Sequence, residues 1–301
     1  MYSFVSGKND LVSAKSRSDG NKLFTVKTHN ASVHYEILQL YNDSIACAPA
    51  GSETLAAAYA NKAAILLHIR KFRECITQVD KAFKITTSSS LKVKLLCRRV
   101  QCLTALGSPD DTKYLEKVRF WLNKVDGGMK KEALIKLMSK SELVVQNKRD
   151  QNSMKMEKKN AKSMKTIAEA EERKDFVEIA YSGKHGSHLI ASKDIRPGEI
   201  LLVEKSLSII NPAQKFAYCG HCSSFLWDLV PCDFCSSVCF CSEQCKTEAW
   251  QYYHDVECSI MPHSSLLHVP TRGPYSQLGL RILIMALKQS GNITNLKNSI
   301  K

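Results

Sequence analysis

Apolar side chains recur at helical spacing through the first third of the chain, and that pattern changes character twice further on. From about Gly20 to Val125 the spacing predicts short helices. Tyr41, Ile45 and Ala48 lead to Pro49 in one stretch, Phe72, Ile76 and Phe83 hold the matching places in the next, and Tyr114 to Val125 closes the series. Between Gly127 and Lys174 the chain turns polar and basic, with Lys148, Arg149, Lys155, Lys158, Lys159, Lys162 and Lys165 and no aromatic before Phe176. Its Ala- and Glu-rich end, Ala168 to Arg173, favours helix, so a solvated helix joining two domains is expected. Alternation then sets in at Val177, Ile179 and Tyr181, at Leu189 to Ala191 and at Ile200 to Val203, with Pro197-Gly198 as a turn, which predicts short strands. The boundaries that follow are a disordered N-terminus over 1–15, helices over 16–125, a basic helical linker over 126–173, a β-rich segment over 174–212, a cysteine-rich module over 219–258 and helices again over 259–301.

The helical third carries weak self-similarity. Gly20-Asn21-Lys22 recurs as Ala60-Asn61-Lys62, and Cys97-Arg98-Arg99 opens a third segment of similar period. A unit of two short helices cannot bury its apolar stripe alone, so such units must stack. The segment resembles a tetratricopeptide array stretched beyond the usual period of ~34 residues; an unrelated helical bundle is the alternative. In that register Arg17, Asn21, Asn61, Lys94 and Arg98 point into one groove. Cationic and amide donors converging there resemble the two-carboxylate clamp by which some tetratricopeptide domains hold acidic C-terminal chaperone tails, whereas the plainer reading is an ordinary exposed helix face.

Composition narrows the class. With 301 residues, 44% hydrophobic and 24% charged, the chain has room for two or three small domains. No stretch approaches the ~20 consecutive apolar residues of a membrane span, and Met1 to Asp10 lacks the apolar core of a secretory signal, so no membrane partner and a cytoplasmic or nuclear location are expected. The net charge of +14 favours acidic partners of some kind. The basic linker lacks the stacking side chains that read bases, which limits nucleic acid to non-specific phosphate contact.

Eight of the twelve cysteines crowd between Cys219 and Cys258. The spacings are Cys219-x2-Cys222, Cys232-x2-Cys235, Cys241-x3-Cys245 and His254-x3-Cys258. Each close pair can curl round one metal, and two tetrahedral zinc ions need the eight N/S ligands these pairs supply. Closed thiolate-rich sites of this kind are structural and supply folding energy to a segment too small for its own core. With every position filled, no catalytic zinc is expected. Cys239 is left over as a spare thiol, and His221, inside the first knuckle, is read as a bystander. The run Cys241-Ser242-Glu243-Gln244-Cys245, followed by Ala249-Trp250 and His254, resembles the MYND zinc finger. That resemblance implies interleaved sites, one of Cys219, Cys222, Cys241 and Cys245 and one of Cys232, Cys235, His254 and Cys258, and a finger that binds peptide segments of protein partners, often proline-rich.

Ahead of the finger, Gly183-Lys184-His185-Gly186-Ser187-His188-Leu189-Ile190-Ala191-Ser192-Lys193-Asp194-Ile195, with Gly198-Glu199 beyond, resembles the opening of a SET domain. Glycine lets backbone approach a ligand closely, and the resemblance implies that Lys184, His185, Gly186, Ser187 and His188 approach S-adenosylmethionine. Ser187 and His188 stand where Arg and Gly are usual. A MYND finger set after the first SET strands and followed by a helix such as Ser276 to Lys288 is similar to the SET and MYND domain-containing lysine methyltransferases, in particular their tetratricopeptide-bearing members. The expected fold is therefore multidomain α+β: tetratricopeptide-like α-helical repeats, then a partial β-rich SET fold interrupted by a two-zinc MYND finger. Catalysis in that family also uses an Asn-His pair and a tyrosine near the far end. The chain has no Asn-His dipeptide and no cysteine beyond Cys258, so no catalytic residue is assigned. The resemblance implies a protein-lysine methyltransferase of which these residues lack part of the active site. The alternative is a zinc-finger and tetratricopeptide adaptor without catalysis.

Overall fold

The computed structural model describes residues 7–26, 30–152, 176–201, 216–260 and 275–299. The chain divides into two compact units, Met1–Met154 with Ser208–Lys301, and Lys155–Leu207.

In the first unit seven helices follow one another through short connections: α1 (Asp10–Thr25), α2 (Ala31–Cys47), α3 (Glu53–His68), α4 (Phe72–Ile85), α5 (Ser89–Leu106), α6 (Asp111–Asn123) and α7 (Met129–Asn152). Their starts are written in the sequence: Asn9, Asn30, Ser52 and Ser88 each accept a backbone N–H from the first turn of α1, α2, α3 and α5, which satisfies donors that a helix end leaves open. Gly107 ends α5 at φ 77°, a left-handed conformation that glycine adopts without strain. Helices α1 and α2, α3 and α4, and α5 and α6 form the closest pairs, and successive pairs also touch.

Two expectations are corrected here. Residues 10–15, expected to be disordered, are the first turns of α1. Ser13 is fully buried and its Oγ donates to the Ser44 carbonyl at 2.7 Å. Gly20 of the same helix lies so close to α2 that a Cβ would stand 2.7 Å from the Tyr41 ring. The described part of the expected linker, α7, packs on α5 and α6, burying Leu134, Ser141 and Val145; the lysines from Lys155 onward and the Ala168–Arg173 stretch lie outside the described residues.

After the helices, residues 216–260 form a compact finger: strand β3 (Val230–Pro231) pairs antiparallel with β4 (Cys239–Phe240), then come α8 (Glu243–Ala249), a π-helical turn (Trp250–His254) and α9 (Asp255–Ile260). Helix α10 (Tyr275–Ser290) covers the expected Ser276–Lys288 stretch, and α11 (Ile293–Ser299) follows it. The finger shares one apolar core with α2 to α5: Tyr41, Ile45, Tyr59, Leu66 and Leu95 belong to the same buried cluster as Leu226, Leu229 and Phe240.

Polar groups lock this junction. Lys62 on α3 has no exposed surface, and its Nζ donates to the Leu226 carbonyl at 3.0 Å. Asn42 donates to the Phe216 carbonyl at 2.7 Å. Gln78 and Lys81 of α4 both reach Asp228 Oδ1, at 2.8 and 2.5 Å. Lys71 lies 4.6 Å over the Trp227 ring, a cation–π contact.

The described residues of the second unit form a hairpin. Strand β1 (Val177–Ser182) pairs antiparallel with β2 (Gly186–Ala191), from Val177 opposite Ala191 to Ser182 opposite Gly186. Ile179, Tyr181 and Leu189 on it are exposed. The expected strand at Ile200–Val203 does not form at Ile200 and Leu201; its last two residues lie outside the described ones.

Burial lowers the Lys62 pKa from 10.5 to about 7, with nearby Asp228 opposing the shift. Between those two values the folded chain binds fewer protons at this site than the unfolded chain, so the site's contribution to stability rises with pH across that window. Denaturant titrations at pH 7 and pH 9.5 should show the wild type gaining up to about 3 kcal/mol relative to Lys62→Met. A difference independent of pH would mean that Lys62 is not buried as described.

Candidate metal centres

The finger draws its eight ligand-type side chains into two groups. Cys219, Cys222, Cys241 and Cys245 form one and Cys232, Cys235, His254 and Cys258 the other, each with its ligand atoms within 4.8 Å of one another. Local structure explains how each pair is presented. Cys219 and Cys222 flank a tight turn in which the Ser223 N–H donates to the Cys219 carbonyl. Gly220 sits inside it, and a Cβ there would meet Val238 Cγ2 at 2.1 Å, so the packing of the Val238 side chain against the turn leaves no room for a larger residue. Cys241 leads into α8, capped by Ser242 Oγ accepting the Cys245 N–H, which brings Cys245 back over Cys241. Cys232 and Cys235 bracket the loop after β3, while the π-helical turn supplies His254 and α9 supplies Cys258.

These distances suit zinc. Sulfur atoms bound at about 2.3 Å on a tetrahedron stand about 3.8 Å apart. Here Cys222 and Cys241 are 3.5 Å apart, Cys241 and Cys245 3.5 Å, and Cys232 and Cys258 3.8 Å. His254 turns Nε2 inward, 3.3 Å from Cys232 Sγ and 3.7 Å from Cys235 Sγ. The second group is wholly buried, whereas three members of the first are partly open. The donor set of thiolates and one imidazole is that of closed structural zinc sites.

The residues set aside lie elsewhere. Cys239 belongs to neither group; it is buried in β4 opposite Pro231, and burial pushes its thiol pKa up. His221 contacts the Tyr253 hydroxyl at 3.2 Å and Glu248 Oε2 at 2.9 Å through its two ring nitrogens. Sequence reasoning passed over a buried ion pair beside the second group, Glu257 with Arg281. Its partners are 24 residues apart on different elements, and no spacing rule connects them.

Of the five groove residues, four gather about Tyr41. Asn21 Oδ1 accepts from the Tyr41 hydroxyl at 2.9 Å and from Asn61 Nδ2 at 2.7 Å. Arg98 Nη1 donates to the Ala60 carbonyl at 3.0 Å. Burial raises the Tyr41 pKa to about 12, moderated by the charges of Arg98 and Arg17. The Nε of Arg17 is buried without a hydrogen-bond partner among the described residues. Lys94 stands exposed one turn before Arg98 on α5.

The loop residues Lys184, His185, Gly186, Ser187 and His188 form the turn of the hairpin and the start of β2. Lys184, His185 and Ser187 are exposed. Gly186 has φ 66°, and His188 Nδ1 lies 2.9 Å from the Gly186 carbonyl oxygen. No described helix is long and apolar enough to cross a membrane.

Beside the second ligand group a cleft of about 270 Å³ is lined by Phe234, Phe240, Trp250, Gln251, Lys246 and Thr247. The Phe234 and Trp250 rings stand 5.1 Å apart at its rim.

Two four-ligand Cys/His groups on one finger, seated on a stack of helix pairs, define a zinc-finger protein with a helical scaffold. Comparison with known proteins carries this further. The chain is 25% identical over 311 residues to human protein-lysine N-methyltransferase SMYD4 (Homo sapiens), covering 94% of this chain and 37% of that protein. It is 27% identical to the SMYD4 of Gallus gallus, covering 93% and 40%, and over 87 residues 32% identical to a SET and MYND domain-containing protein of Dictyostelium discoideum, covering 27% and 22%. The chain is thus similar to proteins of the SET and MYND domain-containing family. The chain spans little more than a third of the length of the SMYD4 proteins it matches, 37% and 40% for the two named. No family model and no solved structure matches it.

If the two groups hold zinc as described, metal analysis should find two zinc ions per wild-type chain. Cys232→Ser should lose at least one and unfold the finger, whereas Cys239→Ser should keep both at a stability cost of about 1–2 kcal/mol for its buried hydroxyl.

Proposed function

We propose that the protein serves S-adenosylmethionine-dependent protein-lysine methylation, with a two-zinc MYND finger and a tetratricopeptide-like groove that recruit protein partners. The reading is carried by one observation: the ligand pairs interleave into two closed tetrads in a chain similar over about nine-tenths of its length to protein-lysine N-methyltransferases. Zinc here is structural, bound by Cys219, Cys222, Cys241 and Cys245 and by Cys232, Cys235, His254 and Cys258. It stabilises the finger and takes no part in methyl transfer.

The Lys184–His188 turn of a partial SET fold approaches S-adenosylmethionine, whose methyl group the reaction transfers to a lysine amine. The exposed Ile179, Tyr181 and Leu189 of the same hairpin form a surface for the remaining SET strands. Proteins bind at two places. The aromatic cleft at Phe234 and Trp250 suits an apolar or proline-rich peptide. The groove of Arg17, Asn21, Asn61, Lys94 and Arg98 suits a C-terminal carboxylate such as an acidic chaperone tail, and the Arg17 Nε, buried without a hydrogen-bond partner among the described residues, supports an anionic occupant. The protein acts in the cytoplasm and nucleus. A second reading, an adaptor without catalysis, is favoured by the exposure of the very turn that would hold the cofactor.

Calorimetry on the zinc-loaded chain separates the two readings. Saturable one-to-one binding of S-adenosylmethionine supports the cofactor site; two zinc ions with no cofactor binding favours the adaptor. For the groove, Lys94→Ala and Arg98→Ala should each weaken binding of an acidic peptide with a free C-terminus by about 1.5–3 kcal/mol. Equal binding of the peptide and its C-terminal amide would discard the clamp.

A further inference from the structure

Helix α10 inserts one guanidinium between the two ligand groups of the finger. Arg281 is 4% exposed, although it lies on a helix whose neighbours Ile282 and Leu283 face outward. Its Nε and Nη2 donate to the two carboxylate oxygens of Glu257 at 2.8 and 2.9 Å, and its Nη1 donates to the Gly220 carbonyl at 3.1 Å. The guanidinium stacks 4.1 Å from the centre of the Tyr253 ring, and the Tyr253 hydroxyl donates to the same Gly220 carbonyl at 3.0 Å.

Each contact ends beside a metal ligand. Gly220 follows Cys219 directly and is one of the two residues between Cys219 and Cys222 in the first knuckle. Glu257 adjoins Cys258, and its Oε2 faces Nδ1 of His254 at 3.9 Å while Nε2 of that ring faces the thiols. At that distance, longer than a hydrogen bond, the carboxylate acts on the ring by its charge, favouring the tautomer whose proton sits on the outward nitrogen and leaves Nε2 free to bind metal. A bidentate arginine–carboxylate fork fixes the carboxylate in turn.

We infer that Arg281 is a positioning residue for both metal sites, setting His254 through Glu257 and the Cys219–Cys222 turn through the Gly220 carbonyl, so that the two sites fill and empty together. The inference rests on the zinc reading above. It gives α10 a role in metal retention that α8 and α9, which carry Cys245 and Cys258, do not supply alone. Burying a charged pair costs desolvation that a well-packed apolar pair would avoid. That cost is balanced here by every one of the three contacts being directional, and the arrangement fixes geometry as well as adding stability.

The test uses the whole zinc-loaded chain and its Arg281→Lys, Arg281→Ala and Glu257→Gln variants, with Lys288→Ala as a control on the exposed side of α10, where Lys288 pairs with Asp255. Zinc per chain is measured first, then transfer of zinc to excess chelating dye, then the absorption bands of the cobalt-substituted proteins. Wild type should hold two zinc ions and release them in one phase. Arg281→Ala and Glu257→Gln should lose about 10–100-fold in affinity at the Cys3His site, release the two ions in separate phases and shift the cobalt bands of that site. Arg281→Lys, which keeps the charge without the fork, should fall between, and it carries the test if Arg281→Ala does not fold. A merely structural arginine would lower the unfolding midpoint and leave the cobalt bands and the single release phase unchanged, which overturns the inference. A wild-type chain that retains no zinc after reconstitution overturns the zinc reading itself.

Discussion

A lysine with no exposed surface, at the boundary between α3 and the finger, sets the terms for the rest of the structure. Lys62 carries its long side chain out of the helical stack to a single carbonyl, that of Leu226. An amine in that position is tolerated only if its donor is used and its charge is compensated or shed. Both conditions are met, by the Leu226 oxygen and by nearby Asp228, which Gln78 and Lys81 hold in place. Helices and finger are thereby fixed in one register, and the apolar residues of both sides close over the junction as one cluster.

That junction changes what the metal does. A finger of this size is too small to fold on apolar burial alone, and closed Cys/His sites supply folding energy. Because its inner face is also the cover of the helices, losing the metal would expose Leu66, Ile45 and their neighbours as well as the finger's own Leu226 and Phe240. Arg281 extends the same logic on the far side, where α10 braces the two ligand groups. The finger is held between α3 and α4 on one side and α10 on the other, and its aromatic cleft at Phe234 and Trp250 remains open.

How far the sequence disclosed this depends on the range of each interaction. The ligand pairs were legible because a chelating turn is local: Cys-x2-Cys and Cys-x3-Cys fix their own geometry whatever surrounds them. The helices between residues 31 and 123 were legible from apolar spacing. Helix α1 was not fully so, because the face it packs is Ser13, Ser16 and Gly20, small residues that carry no hydrophobic signal and serve close approach to α2, at Ser44, Asp43 and Tyr41. Lys62 and Lys22 occupy equivalent places in the recurring Asn-Lys pairs, yet Lys22 is an exposed partner of Asp19 and Lys62 is buried. Only the presence of the finger over α3 separates them. Glu257 and Arg281 were hidden for the same reason, since a buried pair between distant elements leaves no local mark.

The most direct test of one shared core is hydrogen exchange of the helices with and without metal. Zinc-loaded protein and protein stripped by a strong chelator should differ not only in residues 216–260 but also in α2, α3 and α4, whose amides should lose protection together with the finger when zinc leaves. Protection of those three helices that is unchanged by metal removal would contradict the account, and would mean that the finger rests on the helices without contributing to their stability.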